Sequence, residues 1–142
     1  QGIGPGRIVT MSYDYNVRNF TLGMGGMEDA GFVARTRTTT TNPNGTTNGG
    51  EVVATNSVQL GKRTHVVFTR SADGSRAMFV DGVKHELPPL LGDLSTWDPA
   101  MPLHLANEGI DDRIWLGSIE LVAIYARALG PEEVQRNLAA GP

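Results

Sequence analysis

Carboxylates come first, because paired or clustered carboxylates either hold a hard cation or cut a glycosidic bond. The stretch Asn107-Glu108-Gly109-Ile110-Asp111-Asp112 puts four oxygen-bearing side chains into six residues. Hard cations take carboxylates, amide oxygens and loop carbonyls. Asn107, Glu108, Asp111 and Asp112 are therefore the candidate metal ligands, and calcium is the cofactor they would take. The spacing is not that of an EF-hand, and a solvated acidic loop is the blander and weightier alternative, since Asp and Glu are mostly exposed. Retaining glycosidases need two carboxylates about 5–5.5 Å apart. Glu120 stands alone among apolar neighbours in Ser118-Ile119-Glu120-Leu121-Val122. Asp111-Asp112 and Glu132-Glu133 are adjacent pairs, whose side chains diverge in a strand. His65, His85 and His104 lack metal-ligand spacing, and no Gly-x-Ser-x-Gly is present. With no Cys there is no disulfide, thiolate chemistry or Cys-based zinc site. These residues predict no catalytic site.

Sugar binding needs exposed aromatic faces beside a few placed polar groups. Aromatics make up only 6% of the chain. Tyr13 and Tyr15, with Asp14 between them, and Trp97 in a long loop are the candidate ligand-binding residues. For Trp97 the favoured reading is the side chain that anchors its loop to the core. Asn19-Phe-Thr and Asn44-Gly-Thr fit the N-glycosylation pattern, and the first falls in a predicted strand.

Composition narrows the partners. Net charge is -3 and the twelve basic residues are spread singly, which argues against nucleic acid. No apolar run is long enough to span a membrane as a helix, and no signal-peptide pattern opens the chain. A length of 142 residues suits one domain with a sizeable core.

The elements that must position these residues are short strands. Residues 64–70 and 75–80 are joined by Ser71-Ala72-Asp73-Gly74, and Asp81-Gly82 turns the chain again into 83–87. Asp-Gly is a strong hairpin signal because glycine accepts positive φ. Ala77 and Phe79 share one face of the middle strand; Arg76, Met78 and Val80 share the other. Further strands are predicted at 7–13, 16–23, 31–41, 51–58 and 102–106. Residues 115–127 are predicted as the longest strand, apolar on both faces, with Ile119, Leu121 and Ala123 against Val122 and Ile124. Such a strand belongs inside a sheet covered on both sides. Residues 1–6 are irregular, Gly23-Met-Gly-Gly is a turn, and 42–50 is a loop by composition. Pro131 and Glu132-Glu133 open a helix over 131–140, and Gly141 stops it. The prediction is an all-β, antiparallel two-sheet jelly-roll sandwich with one short C-terminal helix, a single domain over 1–142.

Thr64-His65-Val66-Val67-Phe68-Thr69-Arg70, Met78-Phe79-Val80-Asp81-Gly82, the run from Ile119 to Leu129 and Pro131-Glu132-Glu133-Val134 resemble the C-terminal half of a laminin-G-like jelly-roll domain of the concanavalin A-like lectin/glucanase superfamily. The resemblance runs from Arg7 onward and lies in the order and spacing of these motifs. It implies an extracellular or periplasmic, bacterial setting. It also implies that calcium at a loop rim is worth testing. Three departures matter. Related chains begin the last strand Ile-Asp-Glu where this one has Ile119-Glu120-Leu121, and the Glu-x-Asp-x-x-Glu of the family's glucanases is absent. The family also opens with an aromatic-rich strand, whereas only six irregular residues precede Arg7 here. An open sheet position is a template for pairing, so a protein partner or the remainder of a longer polypeptide is expected. Three functions follow: a non-catalytic interaction module or accessory subunit, a carbohydrate-binding (lectin-like) module with or without calcium, and, last, a glycoside hydrolase. Few aromatics and a strand apolar on both faces favour the first.

Overall fold

The computed structural model describes residues 5–25, 31–110 and 113–142. Eight strands are assigned among them: β1 (Arg7–Ser12), β2 (Arg18–Met24), β3 (Phe32–Thr36), β4 (Glu51–Ala54), β5 (Val66–Arg70), β6 (Arg76–Val80), β7 (Val83–Leu87) and β8 (Leu103–Leu105). They form two antiparallel sheets. The larger runs β4-β3-β2-β1-β8 and the smaller β5-β6-β7. This is the predicted sandwich.

The smaller sheet is built on its turns. Val80 pairs with Val83 across Asp81 and Gly82, whose φ values are 48° and 78°. Two positive-φ residues make the primed turn that matches strand twist. At the other end Ser71 N–H donates to Ser75 O (2.9 Å). Period-2 alternation then sends Met78 and Val80 inward and Ala77 and Phe79 outward. The inner pair joins Phe32, Ala34, Val52 and Ala54 of the larger sheet in one buried cluster, with Val66, Phe68, Leu22 and Trp115 packed against it.

The outer face of β6 is covered by helix α1 (Pro131–Ala140). Its Val134, together with Leu129, buries Ala77 and Phe79. The predicted bounds of this helix hold. Pro at the first helical position lacks an N–H that would be unsatisfied there anyway. Glu133 reaches back to accept from Gly130 N–H (3.0 Å).

Two expectations are corrected. Residues 115–127 are not a strand: no described residue there takes part in a ladder. A strand exists only beside a partner, and among the described residues the smaller sheet ends at β5 without one. Residues 38–41 do not extend β3 either. Thr38 N–H donates to Thr41 Oγ1 (2.9 Å), and Thr38 and Thr40 hydroxyls donate to Leu91 O (3.0 and 2.9 Å). Threonine hydroxyls offer the backbone local partners that compete with a ladder. The predicted irregular start at 1–4 and most of the predicted turn after Gly23 lie outside the described residues.

Candidate functional site

The face of the larger sheet turned away from the smaller one is polar. Thr10 pairs with Thr21 between Val9–Leu22 and Met11–Phe20, so both point away from the Leu22 face; their hydroxyls meet at 2.6 Å. Arg18 Nη1 donates to Thr21 Oγ1 (3.0 Å). Over this face lies Glu108, only 2% exposed. Its Oε1 is 2.5 Å from Arg18 Nη1 and 3.4 Å from Arg7 Nε, and Oε2 is 3.8 Å from Arg113 Nε. These contacts hold the buried carboxylate among positive charges. Burial pushes the Arg18 guanidinium down to about 10, against the pull of Glu108, and lowers Arg7 as well.

That arrangement answers for half of the predicted calcium loop. Asn107 Oδ1 accepts from Glu108 N–H (2.8 Å) and Arg113 N–H (3.2 Å), and Glu108 faces three guanidiniums. A divalent cation there would sit among like charges, so these two residues do not fit one. Asp111 and Asp112 lie outside the described residues. Among the described residues no cluster of three His, Asp or Glu has metal-holding geometry.

The predicted aromatic residues gather at one end of the larger sheet. Tyr13 is exposed and its hydroxyl donates to Asp98 Oδ2 (2.9 Å). That bond raises the Tyr13 phenol, while Ala100 N–H and then the phenol lower Asp98. Tyr15 is exposed, and its carbonyl accepts from Arg18 Nη2. Trp97 is half-buried, stacked on Phe20 with centroids 5.7 Å apart, and Nε1–H donates to Arg37 O (2.7 Å). Asn19 ties the same loop down through Asp98 N–H (3.0 Å) and Asp98 O (2.8 Å). Trp97 thus anchors its loop, and the two tyrosines stand exposed. Gly109 sits against this end: a Cβ there would meet Tyr13 O at 2.2 Å.

An open cleft of about 260 Å³ lies between β7 and the turn after β4. Asn56, Gln59, Lys62, Asp81 and His85 line it. Lys62 Nζ bonds Asp81 Oδ2 (2.7 Å) and His65 N–H donates to Asp81 Oδ1 (2.9 Å); both hold the Asp81 carboxyl below its usual range. Sequence reasoning missed this cleft, because its walls come from segments far apart in the chain.

The other exposed feature is apolar. Leu116, Leu121 and Ile124 are each 61–68% exposed, with Tyr125 about half exposed beside them. The segment begins at Trp115, whose N–H donates to Ala106 O (2.8 Å). The Trp115 ring packs between two glycines: a Cβ on Gly6 would lie 3.3 Å from it, and one on Gly117 2.9 Å from Nε1. Beyond it, Glu120 meets Arg63 Nε (2.8 Å). Asn137 Nδ2 donates to Tyr125 OH (3.2 Å), and Arg127 forks onto Glu133. The segment therefore runs back along α1, held by polar contacts at its edges while its apolar side chains face water.

Compared with known proteins, the chain matches a laminin-G family model, described as the concanavalin A-like lectin/glucanases superfamily, over residues 5–135. The chain belongs to that superfamily, whose domains include carbohydrate-binding and interaction modules as well as glucanases. A crystal structure of an S-layer domain-containing protein (residues 221-444) from Clostridium thermocellum ATCC 27405 is similar at 18% identity and a TM-score of 0.48. The match covers 94% of this chain and 63% of that one, so the chain spans less than two thirds of that structure. No curated protein matches. No described helix is long and apolar enough to cross a membrane.

Proposed function

We propose that this chain is a non-catalytic interaction module that makes protein–protein contacts within a larger extracellular or periplasmic protein or complex. The observation that carries it is the segment after Trp115, whose leucines and isoleucine stand in water without a ladder. Apolar area left in water forgoes roughly 25 cal/mol per Å², and contiguous exposed apolar surface marks an interaction site. The non-catalytic part rests on the carboxylates: Glu120 is engaged by Arg63 and Glu133 by Arg127. Turnover of a β-glucan that is abolished by Glu120→Gln would overturn that part. Light scattering and amide exchange on the isolated chain test the interaction. Association through the segment, or fast exchange along 116–125, is expected. A monomer whose amides at 116–125 are already protected would overturn it.

Carbohydrate binding is the second proposal, favoured by the cleft beside β7, where amide, carboxylate and ammonium groups stand next to Val80 and Val83. Titration calorimetry against neutral oligosaccharides, with Gln59→Ala as the cleft variant, tests it. Heat that is unaffected by that substitution would place any sugar elsewhere.

A further inference from the structure

The loop between β3 and β4 holds the chain's two Asn-Gly steps, Asn44-Gly45 and Asn48-Gly49. Asparagine is a thermolabile residue, and a following glycine makes it more so. Without a Cβ, the glycine nitrogen swings freely. It can reach the asparagine side-chain carbon and close a five-membered ring, an intramolecular attack favoured by proximity. In a folded chain that requires a backbone able to turn at the step. The two steps differ in this respect.

The first step is clamped. Gly45 is buried at φ 66°, and its N–H donates to Asn42 O (2.9 Å). A Cβ there would meet the Thr36 carbonyl carbon at 3.0 Å and Arg37 N at 3.1 Å, so the loop packs directly on the end of β3. Asn42 Oδ1 accepts from Thr46 N–H (2.8 Å) and Asn42 Nδ2 donates to Thr46 Oγ1 (2.9 Å), closing the turn around the step. Arg35 Nη1 reaches Asn44 Oδ1 (3.5 Å).

The second step is open. Asn48 and Gly49 are both exposed. A Cβ on Gly49 would meet only the tip of Arg76, at 3.9 Å. The residues form one short 3₁₀ turn, Thr47–Gly49, which Asn48 interrupts at φ 53° and ψ 34°. Such a single turn is a weak element. The Asn48 side chain is tethered by one surface bond, from Nδ2 to Thr40 O. Little packing has to be undone before this step can move.

We propose that Asn48 is a self-modification site, where the folded chain deamidates selectively while Asn44 is spared. The Gly49 nitrogen bonds to Asn48 Cγ. The Cγ–Nδ2 bond breaks, and the nitrogen leaves as ammonia with the Gly49 amide proton. Water then opens the succinimide. Addition at Cγ gives aspartate; addition at the Asn48 main-chain carbonyl routes the chain through Cγ, as isoaspartate. Water is the only co-reactant. Both products place a carboxylate one residue from Gly49 O, which accepts from Arg76 Nη1 (2.8 Å). Arg76 is 4% exposed, and its other bonds go to Pro88 O. Among the described residues no carboxylate balances that buried cation, so the new charge arises where one is favoured. Isoaspartate also lengthens the backbone ahead of Gly50, whose carbonyl accepts from Thr36 N–H (3.2 Å). The end of β3 therefore registers the change.

The test holds the chain in mildly alkaline buffer, folded and in urea, and follows both steps by peptide mass mapping. Isoaspartyl methyltransferase labelling separates the two products. In the folded chain Asn48 should convert about tenfold or more faster than Asn44, whose reaction waits on local opening. In urea the two steps should convert at similar rates. Asn48→Gly keeps the positive φ and should abolish the fast conversion while leaving Asn44 as slow as before. Comparable rates at the two steps in the folded chain overturn the proposal. So does an Asn48 that converts only in urea. The modified fraction, separated by anion exchange, should show faster amide exchange at Thr36. Unchanged exchange there overturns the link to β3.

Discussion

At the scale of single residues, Glu108 decides the most. One carboxylate serves two fully buried guanidiniums and a third at the margin. Removing one member of a buried ion pair leaves the others charged and desolvated, at a cost of about 3–5 kcal/mol. Glu108→Gln should lower the unfolding free energy by that much, read as a lower urea midpoint at unchanged slope. Glu51→Gln breaks a partly exposed pair with Arg35 and should cost under about 1 kcal/mol; equal losses in the two variants would refute the ranking. A chelator should leave the thermal midpoint unchanged. A midpoint that rises with calcium, and no longer does in Asp111→Ala, would restore the loop as a cation site. Glu133 sets an acid signature. The Arg127 fork, and then Gly130 N–H, hold it at about 2 against an ordinary 4.5. A carboxyl lowered on folding adds stability above the unfolded value, and that stability is lost as pH falls from about 4.5 toward 2. In Glu133→Gln the acid limb over that window should flatten; an unchanged limb would assign it to other carboxylates.

At the scale of elements, the separation is between packed strands and an unpaired one. Met78→Ala, at the centre of β6, should cost about 2–5 kcal/mol. Leu121→Asp and Ile124→Asp should stay within about 0.5 kcal/mol, as exposed substitutions do, while abolishing any association. A several-kilocalorie loss at Leu121 would mean that the segment is buried in solution. The contrast also marks what the residues alone could reveal. Asp73-Gly74 and Asp81-Gly82 fixed the meander and its faces, because turn chemistry is local. Pro131, Glu133 and Gly141 bounded the helix for the same reason. Residues 115–127 have a strand's composition, but strand formation depends on a neighbour, which no local pattern reports. The arginines were equally opaque. Arg7, Arg18 and Arg113 look isolated along the chain, and only the pairing of β1 with β2 and the return of the loop after β8 collect them on Glu108. Of the proposed site residues, Tyr13, Tyr15 and Trp97 do share one end of the sheet, yet the Trp97 partner Phe20 could not be named before register was known.

At the scale of the molecule, the imbalance of five strands over three sets the behaviour. The buried cluster sits under β6, between β3 and β4 on one side and the helix-covered face on the other. The β8 end has no such cover. Stability should therefore be uneven, with slow exchange in β3 and β6 and fast exchange in β8, since local opening follows local packing. Equal protection of Leu105 and Met78 in the isolated chain would contradict this.

Trp115 has one more consequence, an optical one. Its indole sits between Gly6 and Gly117, packed on the main cluster, with an Nε1–H that finds no acceptor among the described residues, whereas the Trp97 indole donates to a carbonyl and lies on Phe20. The two fluorophores thus report from different places, one at the root of the unpaired segment and one at the far end of the larger sheet. In Trp97→Phe the remaining emission should be quenched less readily by acrylamide once a partner covers the apolar segment after Trp115. In Trp115→Phe the signal should ignore that covering altogether.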